Sequence, residues 1–196
     1  MIRGVMWDLD GVYFHKDKVA FAESVERKYG LEKGIVDRLF ETEKMRECQK
    51  GLITGDEFML YAIKELKISA TPADLWKILE ESYEVNPIAE KLAKKLRSKY
   101  KNIICTNNYK QRIDLLENKF HFLQNFDVIV FSFEHGLRKP ELFQVMLEKT
   151  GFAPTEILVL DDHNIEEAKK QGFNAVLCAD PFKLEEYLNQ AFRVKA

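Results

Sequence analysis

The sequence predicts an α/β protein in which a Rossmann-like parallel sheet has helices on both faces and carries an inserted helical cap. Three observations support this fold class. A short apolar strand over residues 1–6 opens the chain, residues 19–83 show only helical periodicity, and strands then alternate with helices. Alternating strands and helices form right-handed βαβ units, which build parallel sheets. We therefore assign residues 1–13 and 86–196 to the core and residues 14–85 to the cap.

The cap is predicted to contain four helices. They lie over residues 20–29 and about 33–49, and two more begin near residues 54 and 71. Gly30 is typical of a helix C-terminus, and Thr54 followed by Glu57 is a capping-box pattern. Because no strand-like run interrupts this block, we expect a small helical lobe.

The core is predicted to alternate between strands and helices from residue 86 onward. The strands cover residues 102–105, 126–131, 156–160 and 174–178, and the helices cover 86–100, 110–119, 140–150, 165–171 and 181–192. The strand over 156–160 is strongly apolar, as expected for a strand that is buried on both faces of a sheet.

The composition restricts the classes of function. The 196 residues are 46% hydrophobic and 32% charged, which is typical of a globular chain with a sizeable core. A formal net charge of -2 gives no electrostatic case for a nucleic acid or membrane partner. Asp8 and Asp10 interrupt the first apolar run, so no signal peptide is expected. The three cysteines lack metal-ligand spacing, which favours reduced thiols and a cytoplasmic location, and nothing indicates an oligomeric state.

The first strand ends in a short acidic turn. Asp8 and Asp10 are two residues apart and therefore project to the same side of an extended chain, and Gly11 lets the backbone turn away. Neighbouring carboxylates repel each other and favour a bound cation, and oxygen ligands on a tight turn suit Mg²⁺. An acidic turn without a metal is the alternative interpretation.

Polar residues also follow three later strands. Thr106 and Asn107 follow the second, Arg138-Lys139 follow the third after a longer loop, and Asp161-Asp162 follow the fourth. Ligands of open parallel sheets bind at the carboxyl ends of the strands, so these side chains are expected to converge. A nucleophile, cations and a proton donor are what phosphoryl transfer requires. Thr106 as a helix cap and Lys139 as a solvated charge are the alternatives.

In this order the four motifs resemble those of haloacid-dehalogenase-like hydrolases. Gly51 to Phe58 also resembles the cap of the subfamily that contains sugar-phosphate phosphatases and the phosphatase domain of epoxide hydrolases. The four motifs are Asp8-Leu9-Asp10-Gly11-Val12, Thr106 after an apolar strand, Lys139 before Pro140, and Asp161-Asp162 after an apolar strand.

The resemblance implies a Mg²⁺-dependent phosphatase that acts on a small phosphorylated metabolite through an aspartyl-phosphate. Asp8 would be the nucleophile, and Asp10 would be the general acid and later the general base. Thr106 and the Asn107 backbone amide would hold phosphoryl oxygens. Lys139 would neutralise the phosphate and the nucleophile.

The resemblance also implies a ligand set for Mg²⁺. The metal would be bound by the Asp8 side chain, the Asp10 backbone carbonyl and Asp162. Asp161 is expected to orient the metal site rather than to bind the ion.

The chain departs from the family pattern after the acidic pair, where the segment is about two residues shorter. Either Asn164 or Glu166 would take the supporting role there. His163 is expected to be an exposed residue at the helix entry, with contact to substrate or metal as the alternative. Arg46 and Lys50 in the cap are candidates for binding a polar or anionic end of the substrate, with surface charge as the alternative.

Three other functions remain as hypotheses. A phosphomutase would transfer the phosphoryl group to a sugar, and a non-catalytic module would only sense a phosphorylated ligand. A dehalogenase is disfavoured by Asp10, because a halide leaving group needs no proton donor.

Overall fold

The computed structural model describes residues 1–163 and 165–193. The strands are β1 (Gly4–Trp7), β2 (Phe14–Lys16), β3 (Glu84–Val85), β4 (Lys101–Thr106), β5 (Val128–Phe131), β6 (Ile157–Asp161) and β7 (Asn174–Leu177). The helices are α1 (Lys18–Tyr29), α2 (Ile35–Phe40), α3 (Glu43–Gln49), α4 (Gly55–Leu66), α5 (Pro72–Ser82), α6 (Pro87–Leu96), α7 (Lys110–Phe120), α8 (Ser132–His135), α9 (Leu142–Thr150), α10 (Ile165–Lys170) and α11 (Leu184–Arg193).

Five of the strands form a parallel sheet in the order β5, β4, β1, β6, β7. In the central strand β1, Val5 lies opposite Asn102 of β4 on one side and Leu158 of β6 on the other. All four residues of β1 are buried. The predicted α/β fold is confirmed, and the turn that follows β1 lies at the middle of the carboxyl edge.

The sheet is buried on both faces because its residues alternate between two apolar clusters. Val5 and Trp7 belong to one cluster, whereas Met6 between them belongs to the other. Helices α6, α7 and α11 contribute to the first cluster and α9 and α10 to the second. A strand that must be apolar on both faces produces the continuous hydrophobic runs seen in the sequence. No helix in the described part of the chain combines the length and apolarity needed to cross a membrane.

The second cap helix is interrupted, and the prediction of one helix over residues 33–49 was wrong. Helix α2 ends at Phe40 and α3 begins at Glu43. Between them the Thr42 hydroxyl accepts a hydrogen bond from the Met45 N–H at 3.3 Å and donates one to the Leu39 carbonyl at 2.7 Å. A threonine that bonds the backbone in this way ends one helix and caps the next. The capping box predicted at Thr54 is present, and the helix predicted to begin near residue 71 has one at Thr71.

The range 14–85 also contains two short strands that the sequence pattern did not predict. Phe14 of β2 pairs with Val85 of β3 in an antiparallel ribbon, and the Asn86 N–H donates to the Tyr13 carbonyl at 2.8 Å. Strands of two or three residues are too short to show a period of two. The ribbon joins the two places where the chain enters and leaves the helical segment.

Buried aromatic rings connect the sheet to the helical segment at this ribbon. The ring centroids of Phe14 and Tyr83 are 5.6 Å apart, and those of Tyr13 and Phe126 are 5.2 Å apart. One apolar cluster therefore runs from β1 into the helices. The division of the chain into residues 1–13 with 86–196 and residues 14–85 stays a prediction.

Asn102 is a fully buried polar residue inside the sheet. Its Oδ1 accepts a hydrogen bond from the Trp7 indole at 3.3 Å. Its Nδ2 donates to the Ala93 carbonyl at 2.7 Å and to the Asn125 carbonyl at 3.0 Å. One side chain thus satisfies three buried groups from β1, α6 and the segment before β5.

We predict that Asn102→Ala lowers the free energy of unfolding by about 3 kcal/mol, since it leaves the Trp7 indole N–H and the Asn125 carbonyl unpaired. The Ala93 carbonyl keeps its hydrogen bond from the Arg97 N–H. Chemical denaturation measures this change. Asn118→Ala is the matched control, because Asn118 is exposed on α7. An equal effect in the two variants would contradict the assignment.

Candidate active site

A cavity of about 180 Å³ opens at the carboxyl edge of the sheet. The structure brings all the predicted site residues to its wall, namely Asp8, Asp10, Thr106, Asn107, Lys139 and Asp162. They come from the ends of three neighbouring strands and from the loop before α9. The convergence follows from the parallel sheet, in which every strand ends at the same edge.

A buried lysine connects the first and last motifs. Lys139 Nζ lies 3.0 Å from Asp8 Oδ1 and 2.6 Å from Asp161 Oδ2. The Asp161 carboxylate is fully buried, and the Lys139 side chain is 3% exposed. Burial opposes the charged form of Lys139, but the carboxylates of Asp8 and Asp161 raise its pKa above the ordinary value. The ammonium group is therefore charged and is held between two carboxylates.

The nucleophile candidate Asp8 has a perturbed pKa. Burial raises the pKa of Asp8 from 3.8 to about 7, although the charge of Lys139 acts in the opposite direction. The negative charges of Asp161 and Asp162 raise it further. The carboxylates of Asp161 and Asp162 therefore both repel that of Asp8, and Lys139 contacts Asp8 and Asp161.

Asp10 has a different cationic partner, which the sequence analysis did not identify. Arg112 Nη2 donates to both oxygens of Asp10, at 2.5 and 2.6 Å. The Tyr83 hydroxyl donates to Asp10 Oδ1 at 3.2 Å, and the guanidinium lies 5.1 Å from the centre of the Tyr83 ring. Arg112 is in α7, six residues after Thr106. Its position after a motif strand was visible in the sequence, but its burial was not.

Asp162 approaches the turn after β1 closely, and Gly11 permits this approach. Gly11 has a φ of +72°, and a Cβ at this position would lie 2.8 Å from Asp162 Cγ. Both the backbone conformation and the space therefore require glycine. His163 is exposed, as expected, but it lines the cavity, and its Nδ1 lies 2.7 Å from Asp162 Oδ2.

The carboxylates present fit a hard divalent cation. Asp8, Asp161 and Asp162 each offer one oxygen, and these oxygens lie within 4.8 Å of one another. Such oxygen ligands suit Mg²⁺. Asp161 is fully buried, with Oδ2 bonded to Lys139 and Oδ1 accepting from the His163 N–H at 2.8 Å. Asp8 and Asp162 line the cavity, so we favour these two side chains as ligands and Asp161 as their support.

The remaining motif residues connect two loops of the site. Thr106 is the last residue of β4 and is buried. The Asn107 side-chain carbonyl accepts a hydrogen bond from the Lys139 backbone N–H at 2.8 Å. This contact fixes the loop that carries Lys139 against the end of β4.

Several candidates from the sequence lie elsewhere. Arg46 and Lys50 do not line the cavity, and Arg46 forms an exposed ion pair with Glu43 at 3.1 Å. Glu166 forms an ion pair with Lys169 at 3.0 Å on α10. Asn164 lies outside the described residues. The cavity wall also includes Lys18 and Gln49, which the sequence did not indicate, and Arg138, which was expected at this edge beside Lys139 but was given no role.

Comparison with known proteins gives a family match. The model of the haloacid dehalogenase-like hydrolase family matches residues 5–178. An uncharacterized protein of Dictyostelium discoideum is 31% identical over 146 residues, which cover 71% of this chain. The chain spans 62% of the length of that relative.

Solved structures share the fold at low sequence identity. A predicted HAD-like family hydrolase from Porphyromonas gingivalis has a TM-score of 0.77 and 20% identity, with 99% of this chain and 98% of that chain covered. A HAD family enzyme from Bacteroides thetaiotaomicron, in complex with magnesium and inorganic phosphate, has a TM-score of 0.75 and 21% identity, with 90% and 94% covered. The L-2-haloacid dehalogenase from Xanthobacter autotrophicus has a TM-score of 0.66 and 18% identity, with 90% and 77% covered.

We predict that Asp10 and Arg112 are energetically coupled. Their side chains are 13% and 6% exposed, so Arg112→Met leaves a largely buried carboxylate unpaired and destabilises the fold by about 3 kcal/mol. Combining Arg112→Met with Asp10→Asn should recover at least about 1 kcal/mol. A double-mutant cycle by urea denaturation measures the coupling, and additive effects would contradict it.

The raised pKa of Asp8 predicts how stability depends on pH. The folded state binds the Asp8 proton more tightly than the unfolded state, so this group lowers the free energy of unfolding as the pH rises from about 4 to 7. In EDTA, Asp8→Asn should therefore be more stable than the wild type at pH 7.5, by at least about 1 kcal/mol. The difference should shrink toward pH 4. Denaturation curves across this range measure it, and parallel pH profiles would refute the assignment.

Proposed function

Because the chain belongs to the haloacid dehalogenase-like hydrolases, we propose that it is a Mg²⁺-dependent phosphatase that hydrolyses a small phosphorylated metabolite through an aspartyl-phosphate on Asp8. The observation that carries the proposal is that Asp10 lines the same cavity as Asp8. An alkoxide that leaves a phosphate ester needs a proton, whereas a halide does not. A proton donor beside the nucleophile is therefore useful in the hydrolysis of a phosphate ester, whereas the departure of a halide does not require one.

In the first half of the reaction, a carboxylate oxygen of Asp8 attacks the phosphorus atom. The bond between phosphorus and the ester oxygen breaks, and the leaving oxygen takes a proton from the protonated form of Asp10. Asp10 thereby becomes the carboxylate that Arg112 binds. Thr106 and the backbone amide of Asn107 hold the phosphoryl oxygens. Lys139 offsets their charge together with that of Asp8, as electrostatic stabilisation of this kind of transition state requires.

In the second half, Asp10 accepts a proton from a water molecule that attacks the phosphorus atom. The phosphorus–oxygen bond to Asp8 breaks, which releases inorganic phosphate and restores the Asp8 carboxylate. Arg112 and Tyr83 support this exchange because their contacts hold the Asp10 carboxyl group in one orientation. General acid–base catalysis of this type contributes about 10²–10⁴-fold to the rate.

The proposed cofactor is Mg²⁺, held by the side chains of Asp8 and Asp162 and by the backbone carbonyl of Asp10. When bound, it would neutralise negative charge on the phosphoryl oxygens. The three opposed carboxylates, with oxygens within 4.8 Å of one another, support a cation at this place. A structural relative from Bacteroides thetaiotaomicron that was solved with magnesium and inorganic phosphate also supports it.

We further propose that the phosphorylated metabolite is small and that the enzyme acts in the cytoplasm. The cavity of about 180 Å³ is smaller than the ~300–1,000 Å³ pockets that hold drug-sized ligands. Cys48, Cys105 and Cys178 are free and buried, which suits a reducing compartment.

We predict that Asp8→Asn abolishes hydrolysis of p-nitrophenyl phosphate in the presence of Mg²⁺, because an amide cannot form the aspartyl-phosphate. EDTA should abolish the wild-type activity, and added Mg²⁺ should restore it. Release of p-nitrophenolate measures the rate. As a control, Asp114→Asn on the exposed face of α7 should retain activity within about twofold.

Full activity in Asp8→Asn would overturn the assignment of the nucleophile. Product analysis with a phosphorylated sugar separates hydrolysis from transfer, since a phosphomutase returns an isomeric sugar phosphate instead of inorganic phosphate.

A further inference from the structure

Three residues of the cavity wall each carry a buried polar atom that has no hydrogen-bond partner. Among the described residues, six buried side-chain nitrogen or oxygen atoms lack one. Three of these, Gln49 Oε1, Arg112 Nε and Arg138 Nε, belong to residues that line this single cavity. An unpaired buried polar group costs about 1–3 kcal/mol, so a cluster of them calls for a partner. The cavity is where that partner would bind.

Two of the four cations in the cavity wall already have carboxylate partners. Lys139 is paired with Asp8 and Asp161, and Arg112 is paired with Asp10. Lys18 and Arg138 line the same wall, and neither forms an ion pair with a carboxylate in the described part of the chain. The proposed reaction uses Lys139 and Arg112 and gives no role to Lys18 or Arg138.

The environment of Arg138 is also unfavourable for an unpaired cation. Burial lowers the pKa of Arg138 from its ordinary value, and the positive charge of Arg46 lowers it further. Glu43 and Glu141 oppose this effect, but Glu43 is already paired with Arg46, and Arg138 forms an ion pair with neither of them in the described part of the chain. A bound anion would relieve both the desolvation of the guanidinium and its repulsion by Arg46.

The positions of these residues relative to the chemistry indicate which part of a substrate they would meet. Arg138 and Lys139 are adjacent in the chain, and both line the cavity that holds the proposed phosphate site. Gln49 is the last residue of α3 and approaches the cavity from the helical segment. The phosphoryl group is assigned to Thr106, Asn107 and Lys139, so Gln49 and Arg138 are left for the leaving group.

The chemistry of the unpaired atoms defines that leaving group. A guanidinium group matches a carboxylate in shape and charge. The side-chain carbonyl of Gln49 can only accept a hydrogen bond, so it needs a donor such as a hydroxyl group. A neutral polyol would leave Arg138 without a counter-charge, and an amino alcohol would be repelled by Lys18 and Arg138.

We propose that Arg138, Lys18 and Gln49 form a subsite for a short hydroxy acid, so that the substrate is the phosphate monoester of such an acid. The carboxylate of the leaving group binds Arg138 and Lys18, and its hydroxyl group donates to Gln49 Oε1. The inference rests on the proposed phosphatase function and adds the class of its substrate.

The test compares two esters that differ at one group. In 3-phosphoglycerate a carboxylate replaces the hydroxymethyl group of glycerol 3-phosphate, and the rest of the molecule is the same. With Mg²⁺, the wild type should hydrolyse 3-phosphoglycerate with a kcat/KM at least about tenfold higher, which corresponds to about 1.4 kcal/mol. The preference should lie mainly in KM, because the carboxylate is remote from the reacting phosphorus.

Two variants then probe the subsite separately. Arg138→Gln should bring the ratio of the two kcat/KM values close to one by raising KM for 3-phosphoglycerate. Gln49→Glu adds a negative charge at almost constant volume, so it should lower the same ratio by repulsion. Arg27→Gln is the matched control, since Arg27 is an exposed arginine of α1 outside the cavity, and it should keep the wild-type ratio. Circular dichroism melting confirms that each variant is folded.

Equal kcat/KM values for the two esters in the wild type would overturn the inference. So would an unchanged preference in Arg138→Gln and Gln49→Glu. If the wild type hydrolyses p-nitrophenyl phosphate but shows no preference for 3-phosphoglycerate, only the hydroxy-acid subsite fails. If the folded wild type with Mg²⁺ hydrolyses none of the three esters, the proposed phosphatase function fails, and the subsite fails with it.

Discussion

The arrangement of the site depends on one buried ammonium group, that of Lys139, held between two carboxylates. A charge with 3% exposure is tolerated only when its partners are close, and here they lie 3.0 and 2.6 Å away. Asp8 follows β1, Asp161 ends β6, and Lys139 lies in the loop before α9. Satisfying one lysine therefore fixes three separate segments of chain relative to one another. The same contacts hold the proposed nucleophile in its place at the carboxyl edge of the sheet.

The two carboxylates of the first motif differ because their cationic partners differ. Asp8 shares Lys139 with a second buried carboxylate, whereas Asp10 has the guanidinium of Arg112 to itself together with the Tyr83 hydroxyl. Different environments for two neighbouring carboxyl groups are the usual means by which one becomes a nucleophile and the other moves protons. Asp8 and Asp10 are two residues apart in the sequence. Side chains from distant elements nevertheless give their carboxyl groups different chemical environments.

The helical segment contributes to the site through an apolar connection and through polar side chains. The buried rings of Tyr13, Phe14 and Tyr83 extend the core of the sheet into the helices, so the segment is packed against the sheet at its base. Gln49 then reaches the cavity from α3, and Tyr83 reaches Asp10 from just after α5. The base of the segment is apolar and continuous with the core, and the segment also contributes the apolar residues Phe40 and Met45 to the cavity wall.

The sequence by itself determined the five core strands, because a strand buried on both faces must be apolar throughout. It also determined the motif residues, because a parallel sheet brings all strand ends to one edge. It also determined the helix caps at Thr54 and Thr71, which depend only on neighbours along the chain. The tertiary structure decided the pairing of Arg112 with Asp10 and the position of Gln49, and it revealed the break between α2 and α3. Local sequence patterns indicate which residues are buried in the fold and which helix ends need a capping side chain. Pairings between side chains a hundred residues apart depend on how whole elements pack, and no local pattern specifies them.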